Sequence, residues 1–220
     1  RCAAWAVGLR PLIIHSGGDS RRLPHCSATG KLFARIPRTL PDGRASTVFD
    51  EFLISLSGIA GVTPPGALVA SGDVLLVFDH LQLSFRRPGM TGVAAYAPAE
   101  MGTRHGVFVT ETGTHRLRAY LHKPGPEELV AWDALDGARV QTDTGLVWLD
   151  GETARLFTGL ANNPLVAAAP LNVYGDLMLP LAASTDEQAY YADVSDGPAT
   201  SAIRAARQAL WQRLRGTPLT

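Results

Sequence analysis

The chain has 220 residues, 46% of them hydrophobic and 18% charged, a composition that excludes a disordered segment, a collagen-like fibre or a coiled coil. That length allows one large or two small domains with a sizeable core. Lys plus Arg and Asp plus Glu each total 20, so no net field draws the whole chain to nucleic acid or an anionic membrane, and a polyanion must be met by a local site.

The predicted elements alternate strand and helix. Leu12-Ile13-Ile14-His15 reads as a buried strand closed by Ser16-Gly17-Gly18. A helix is predicted over Thr47–Ser57, where Thr47 and Asp50 have capping-box spacing and Val48, Phe49, Phe52, Leu53 and Leu56 share a face, with Gly58 and Gly61 stopping it. Ala67–Ala70 reads as a second buried strand, ended by Ser71-Gly72-Asp73, and Val93–Tyr96 as a third. Gly106–Thr110 and Arg116–Lys123 flank a polar connection and predict a strand pair, after which Pro126 opens a short helix. Gly145–Leu149 is another apolar strand, followed by a helix from Glu152 to Leu160. Asp176 is expected to cap a further helix. Ile203, Ala206, Leu210, Trp211 and Leu214 recur at helical spacing, so the last helix is amphipathic, with Arg204, Arg207 and Arg213 expected outside.

Two cysteines, Cys2 and Cys26, are too few for a disulfide framework and fit no Cys/His metal spacing, so a reducing cytoplasm is the expected compartment. No apolar run approaches the roughly 20 residues that span a bilayer. A chain that opens on Arg1 is expected to be a fragment of a longer one.

The richest segment is Ser16-Gly17-Gly18-Asp19-Ser20-Arg21-Arg22-Leu23-Pro24, with Gly30-Lys31 soon after. Adjacent glycines let backbone N–H groups surround phosphate oxygens, and Arg21, Arg22 and Lys31 supply the charge a triphosphate needs. A bare Gly-Gly is equally what a tight turn uses; the cations in the same loop argue for phosphate. It is neither of two familiar loops. The kinase-type phosphate loop would need Gly and a hydroxyl where His25 and Leu32 stand, and the dinucleotide fingerprint would need Gly at Asp19 and Arg22.

Asp73 follows a buried strand at the edge where open α/β sheets bind ligands, and could hold Mg²⁺ there; alone, it is also an ordinary strand-ending turn residue. Lys123, in His122-Lys123-Pro124-Gly125, is a cation at a strand end, though taken singly a solvated lysine. Thr142-Asp143-Thr144-Gly145 is a polar quartet able to bind hydroxyls, or a plain loop. His15, inside an apolar strand, reads as a satisfied core histidine, and His105, His115 and His122 lack metal-site spacing.

In order, these segments resemble the fucose-1-phosphate guanylyltransferase (GDP-L-fucose pyrophosphorylase) family, including the pyrophosphorylase half of bifunctional fucokinases. The resemblance rests on His15–Pro24 with Gly30-Lys31-Leu32-Phe33, Ala70-Ser71-Gly72-Asp73-Val74, His105-Gly106-Val107-Phe108, Lys123-Pro124 with Glu128-Leu129, Asp143-Thr144-Gly145 and Tyr174-Gly175-Asp176-Leu177. It implies a nucleotidyltransferase A-type, Rossmann-like α/β fold: a mixed, mostly parallel sheet flanked by helices over residues 1–220, without the C-terminal β-helix of the family. It also implies GTP and L-fucose 1-phosphate as substrates. By that resemblance Gly17, Gly18, Ser20, Arg21, Arg22, Lys31 and Gly72 hold the nucleotide and Asp73 holds Mg²⁺. Lys123 takes the sugar phosphate, and His105, Gly106, Asp143, Thr144 and Gly145 line the sugar pocket. Arg21, Lys31, Asp73 and Lys123 are then the residues that carry transfer. Another sugar phosphate, another base, or a non-catalytic nucleotide-sugar-binding module remain open on these residues.

Overall fold

The computed structural model describes residues 8–15, 24–72, 74, 76–194 and 197–220. Eight strands and eight α-helices are found among them: β1 (Leu12–His15), β2 (Arg35–Thr39), β3 (Ala45–Thr47), α1 (Val48–Leu56), α2 (Ile59–Val62), β4 (Gly66–Ser71), β5 (Met90–Pro98), α3 (Ala99–Gly102), β6 (Gly106–Thr110), β7 (Leu117–His122), α4 (Pro126–Ala131), β8 (Arg139–Asp150), α5 (Gly151–Ala161), α6 (Pro164–Ala168), α7 (Glu187–Ala192) and α8 (Ser201–Leu214). A one-turn π-helix, Val173–Met178, lies between α6 and α7. None of these helices is long and apolar enough to cross a membrane.

Side-chain caps mark the starts of five of the helices. Thr47 and Asp50 form the expected reciprocal capping box of α1. The side chains of Asp150, Asn163, Asp186 and Thr200 accept the first free amides of α5, α6, α7 and α8. The glycines after α1 do not end helical structure outright: Gly58 caps the short α2, and Gly61 lies within it.

Six strands make one mixed sheet flanked by helices, and β2 and β3 form a separate ribbon. The hub is β8, which pairs antiparallel with β4, β5 and β6. Since β1 runs parallel to β4 and β7 antiparallel to β6, strands β1, β4, β5 and β6 all point one way while β7 and β8 point the other. The shared direction is the expected strand-helix alternation; the mostly parallel pairing is not what results. Apart from β1 with β4, the main ladders are antiparallel, because β8 comes between strands that the alternation would place side by side.

One face of the sheet packs on α5, α6 and α8 through Ala67, Phe108, Tyr120, Leu149, Ala154, Leu210 and Leu214. The other holds two clusters. One gathers α1 with Leu68, Ala70, Phe85, Leu146 and Trp148, and the other gathers α4 with Val107, Val109, Leu121, Leu129 and Val140. Two strands expected to be buried are not. Leu12 is 36% and Ile13 44% exposed, because β1 pairs with β4 and ends the sheet. Ala94, Ala95 and Tyr96 are exposed on β5, which lies along the free edge of β8. The last two residues run beside β5: Gly92 N–H donates to the Thr220 carbonyl at 2.8 Å, and Thr220 N–H to Met90 at 3.0 Å.

Candidate active site

A cleft opens where β8 changes partners. On the β5 side the register passes from Val93 opposite Leu146 to Ala94 opposite Asp143, so Thr144 and Gly145 are bulged out. On the opposite edge β4 pairs as far as Ala70 with Leu146, and β6 begins its pairing at Val107 with Thr142. The stretch Asp143–Gly145 therefore lies between the carboxyl end of β4 and the start of β6. Gly145 adopts a φ of 70°, and a Cβ there would fall 2.7 Å from that of Ser71, so both conformation and space require glycine.

The cleft encloses about 230 Å³. His15 at the end of β1, Ser71 at the end of β4, and Asp143, Gly145 and Val147 on β8 form its floor; Leu171, Asn172, Val173 and Met178 form its wall. It lies at the carboxyl ends of β1 and β4, where open α/β sheets take ligands.

Among the described residues Asp143 is the carboxylate of this cleft. Its Oδ1 accepts the Gly145 N–H at 2.7 Å and its Oδ2 the Tyr120 hydroxyl at 3.0 Å. Burial pushes the carboxyl pKa above the usual aspartate range, opposed by those two hydrogen bonds and by the nearby His105. The wall is fixed from behind. Asn172 N–H donates to Asp176 Oδ2 at 2.6 Å, and Asp176 Oδ1 receives Arg207 Nε at 2.6 Å, in an ion pair whose side chains are 3% and 4% exposed. Arg207 also donates to the carbonyls of Tyr190 and Asp193, and the Tyr190 hydroxyl donates to the Asp176 carbonyl.

Two expectations are corrected here. Asp176 caps no helix: it sits inside the π-turn as one half of a buried ion pair, and Asp186 is the cap of the next α-helix. Arg207 is not on the solvent side of α8, unlike Arg204 and Arg213; it is buried against Asp176. The sequence held a signal for this, since Arg207 falls four residues after Ile203 and three before Leu210, on the apolar stripe.

The expected site residues divide as follows. Gly17, Gly18, Ser20, Arg21, Arg22 and Asp73 lie outside the described residues. The described residues that precede them in the chain are neighbours: His15 pairs with Ser71, and Gly72 N–H donates to the His15 carbonyl at 2.8 Å. A Cβ on Gly72 would sit 2.8 Å from that same oxygen, so glycine lets the two strand ends close. Lys31 begins a single 3₁₀ turn, Lys31–Phe33, after Gly30 at a φ of 80°. Asp143 and Gly145 line the cleft, whereas the Thr144 hydroxyl donates to the Val93 carbonyl at 2.6 Å across the bulge. His105 and Lys123 are exposed side by side, with the Lys123 N–H donating to the His105 carbonyl at 3.0 Å, and Lys123 holds a φ of 51°. Gly106 pairs with His122. His15 is exposed and lines the cleft instead of filling a core, because β1 is an edge strand. Sequence reasoning missed Ser71, Tyr120 and Asn172. Among the described residues no three His, Cys, Asp or Glu side chains cluster as a metal site.

Comparison with known proteins bears on what this cleft serves. The fucose pyrophosphorylase domain matches residues 8–220. The fucose-1-phosphate guanylyltransferases of Mus musculus and Homo sapiens are each 26% identical, over 96% and 94% of this chain. The bifunctional fucokinase/GDP-fucose pyrophosphorylase of Arabidopsis thaliana is 31% identical over 62% of it. This chain spans 41%, 39% and 14% of those three proteins respectively. With the domain matched from the start of the described residues to Thr220, the chain belongs to the fucose pyrophosphorylase domain family.

Proposed function

We propose that this domain carries out sugar-1-phosphate guanylyl transfer: GTP and L-fucose 1-phosphate give GDP-L-fucose and pyrophosphate. The observation that carries the reading is the domain match over residues 8–220, which spans the cleft and both strand ends beneath it. The names of the mouse and human relatives supply the sugar and the base.

In such a transfer a phosphate oxygen of the sugar phosphate attacks the α-phosphorus of GTP, the bond to the β-phosphate oxygen breaks, and pyrophosphate leaves with the electron pair. No covalent enzyme intermediate is needed, so the protein positions two anions and offsets their charge. Gly17, Gly18, Ser20 and Gly72 are proposed to hold the nucleotide, with Arg21, Arg22 and Lys31 neutralising its phosphates. Lys123 is proposed to take the sugar phosphate, and Asp143 with Gly145 the sugar ring.

The oxygen donors of the cleft, Ser71, Asp143 and Asn172, suit a hard cation better than a thiol- or imidazole-seeking one. Asp73, one residue beyond Gly72 and next to the carboxyl end of β4 in the chain, is the residue we assign to Mg²⁺. A bound Mg²⁺ would neutralise phosphate charge. Cys26 is a buried free thiol, which suits a reducing compartment such as the cytoplasm.

The test is pyrophosphate release across a panel of sugar 1-phosphates and nucleoside triphosphates. Release strongest with GTP and L-fucose 1-phosphate is the expected result. A different preferred pair would reassign the substrates, and binding of GDP-sugar without release from any pair would make the domain a binding module.

A further inference from the structure

We propose that Tyr120 is a positioning residue of the cleft: its hydroxyl aims the Asp143 carboxylate at a hydroxyl of the bound sugar, and position 106 is glycine so that it can. The proposal rests on the sugar-phosphate reading above, and extends it to two residues whose sequence gives no hint of a partnership.

Tyr120 stands on β7 opposite Phe108, and Gly106 stands on β6 opposite His122. A Cβ on Gly106 would fall 2.0 Å from the Tyr120 hydroxyl oxygen and 2.6 Å from the ring carbon that bears it. The tyrosine therefore lies across the bare backbone of Gly106, over β6, and reaches β8 at Asp143. Its ring is held by Phe108, with centroids 5.5 Å apart, and the residue is 4% exposed. A phenol at that depth must find a hydrogen-bond partner, and here it is the Asp143 carboxylate.

The consequence lies in the lone pairs. A carboxylate offers about four acceptor directions, and two donors on different oxygens fix both its plane and its rotation. Gly145 N–H holds Oδ1 and Tyr120 holds Oδ2, which leaves the remaining acceptor directions for a ligand. A fixed acceptor of this kind suits a neutral hydroxyl donor and repels phosphate, so this part of the floor addresses the sugar ring. Position 106, which the family resemblance placed against the sugar, acts in this reading through Tyr120. Among the described residues the titratable groups around Asp143 are His105 before β6, Tyr120 on β7 and, lining the same cleft, His15 on β1.

Tyr120→Phe tests this, because it keeps the ring against Phe108 and removes only the hydroxyl. The KM for L-fucose 1-phosphate is expected to rise about tenfold, because the sugar loses its hydrogen bond to a carboxylate that is no longer aimed at it, while GTP affinity stays within about twofold. Placed in an Asp143→Asn background, the same substitution should add nothing, and Gly106→Ala should reproduce the Tyr120→Phe phenotype without adding to it. A readout independent of turnover is the NMR titration of the Asp143 carboxyl, which should move to higher pH in Tyr120→Phe as a stabilising donor is lost. Equal effects of Tyr120→Phe in both backgrounds would overturn the proposal, as would an unmoved titration. If the wild-type chain transfers to no sugar phosphate, the functional reading fails, and the titration alone decides whether Tyr120 governs Asp143.

Discussion

Arg207→Met removes a charge and leaves its partner, Asp176, 3% exposed in the protein interior. The replacement keeps an apolar stem of similar length on the stripe of α8, over the ring of Tyr190. What is lost is the ion pair at 2.6 Å, a longer one to the Asp193 carboxylate at 3.8 Å, and the bonds to the Tyr190 and Asp193 carbonyls. Breaking one side of a buried pair costs about 3–5 kcal/mol, because the remaining charge stays desolvated. For a chain of this size each kcal/mol lowers the melting temperature by about 2–4 °C, so a drop of roughly 6–20 °C is expected by thermal denaturation. The double variant Arg207→Met/Asp176→Leu should recover much of it, since two apolar groups leave no stranded charge. Recovery should stop short of complete, because Asp176 Oδ2 also holds the Asn172 N–H. A single variant melting within about 2 °C of wild type, or a double variant less stable than both singles, would refute the assignment of this pair as the strut behind the cleft wall.

Gly145→Ala should cost about 1–3 kcal/mol for its φ of 70°, and its Cβ, 2.7 Å from that of Ser71, should push β4 away and weaken sugar-phosphate binding; melting and affinity measured together check it. Lys123→Ala, at an exposed position, should raise the KM for sugar phosphate while GTP binding and melting temperature hold; lost GTP binding in a folded variant would move Lys123 to the nucleotide side. Asp143→Asn should be more stable than wild type at neutral pH. The folded-state pKa of Asp143 is raised, so its contribution to stability is present below the unfolded pKa and lost as pH rises through the folded one. The melting-temperature gap between variant and wild type should accordingly close as pH falls below the ordinary aspartate range, and a gap that widens on acidification would show the sign to be wrong.

Local signals were legible because their causes are local. The Thr47–Asp50 box, Pro126 at the start of α4, and the stripe of α8 each arise within one or two turns of chain. The exposure of β1 and β5 is not legible in the sequence, for the opposite reason. An apolar run such as Leu12–Ile14 states that a strand suits the residues, while the number of neighbours it gains depends on where the sheet ends. Arg207 shows the same limit in polar form: its charge predicts solvent, and partners far along the chain, above all the carboxylate 31 residues away, make the buried position tenable.

The quartet Thr142-Asp143-Thr144-Gly145 carries the point furthest, because its composition reads as a loop and it is the middle of the longest strand. Val140, Thr142, Leu146 and Trp148 are all buried at even positions, so the alternation of a strand continues straight through the polar residues. A loop would have broken that parity. A two-residue bulge preserves it, since adding two residues returns every later side chain to its own face. The glycine is needed for the positive φ of the bulge, the Thr144 hydroxyl is taken up by the β5 carbonyl it strands, and Asp143 is left at the gap between β4 and β6. Alternation kept on both sides of a polar, glycine-containing quartet is thus a sign of a bulge, and a bulge between two partner strands is where a sheet can present a carboxylate to a ligand.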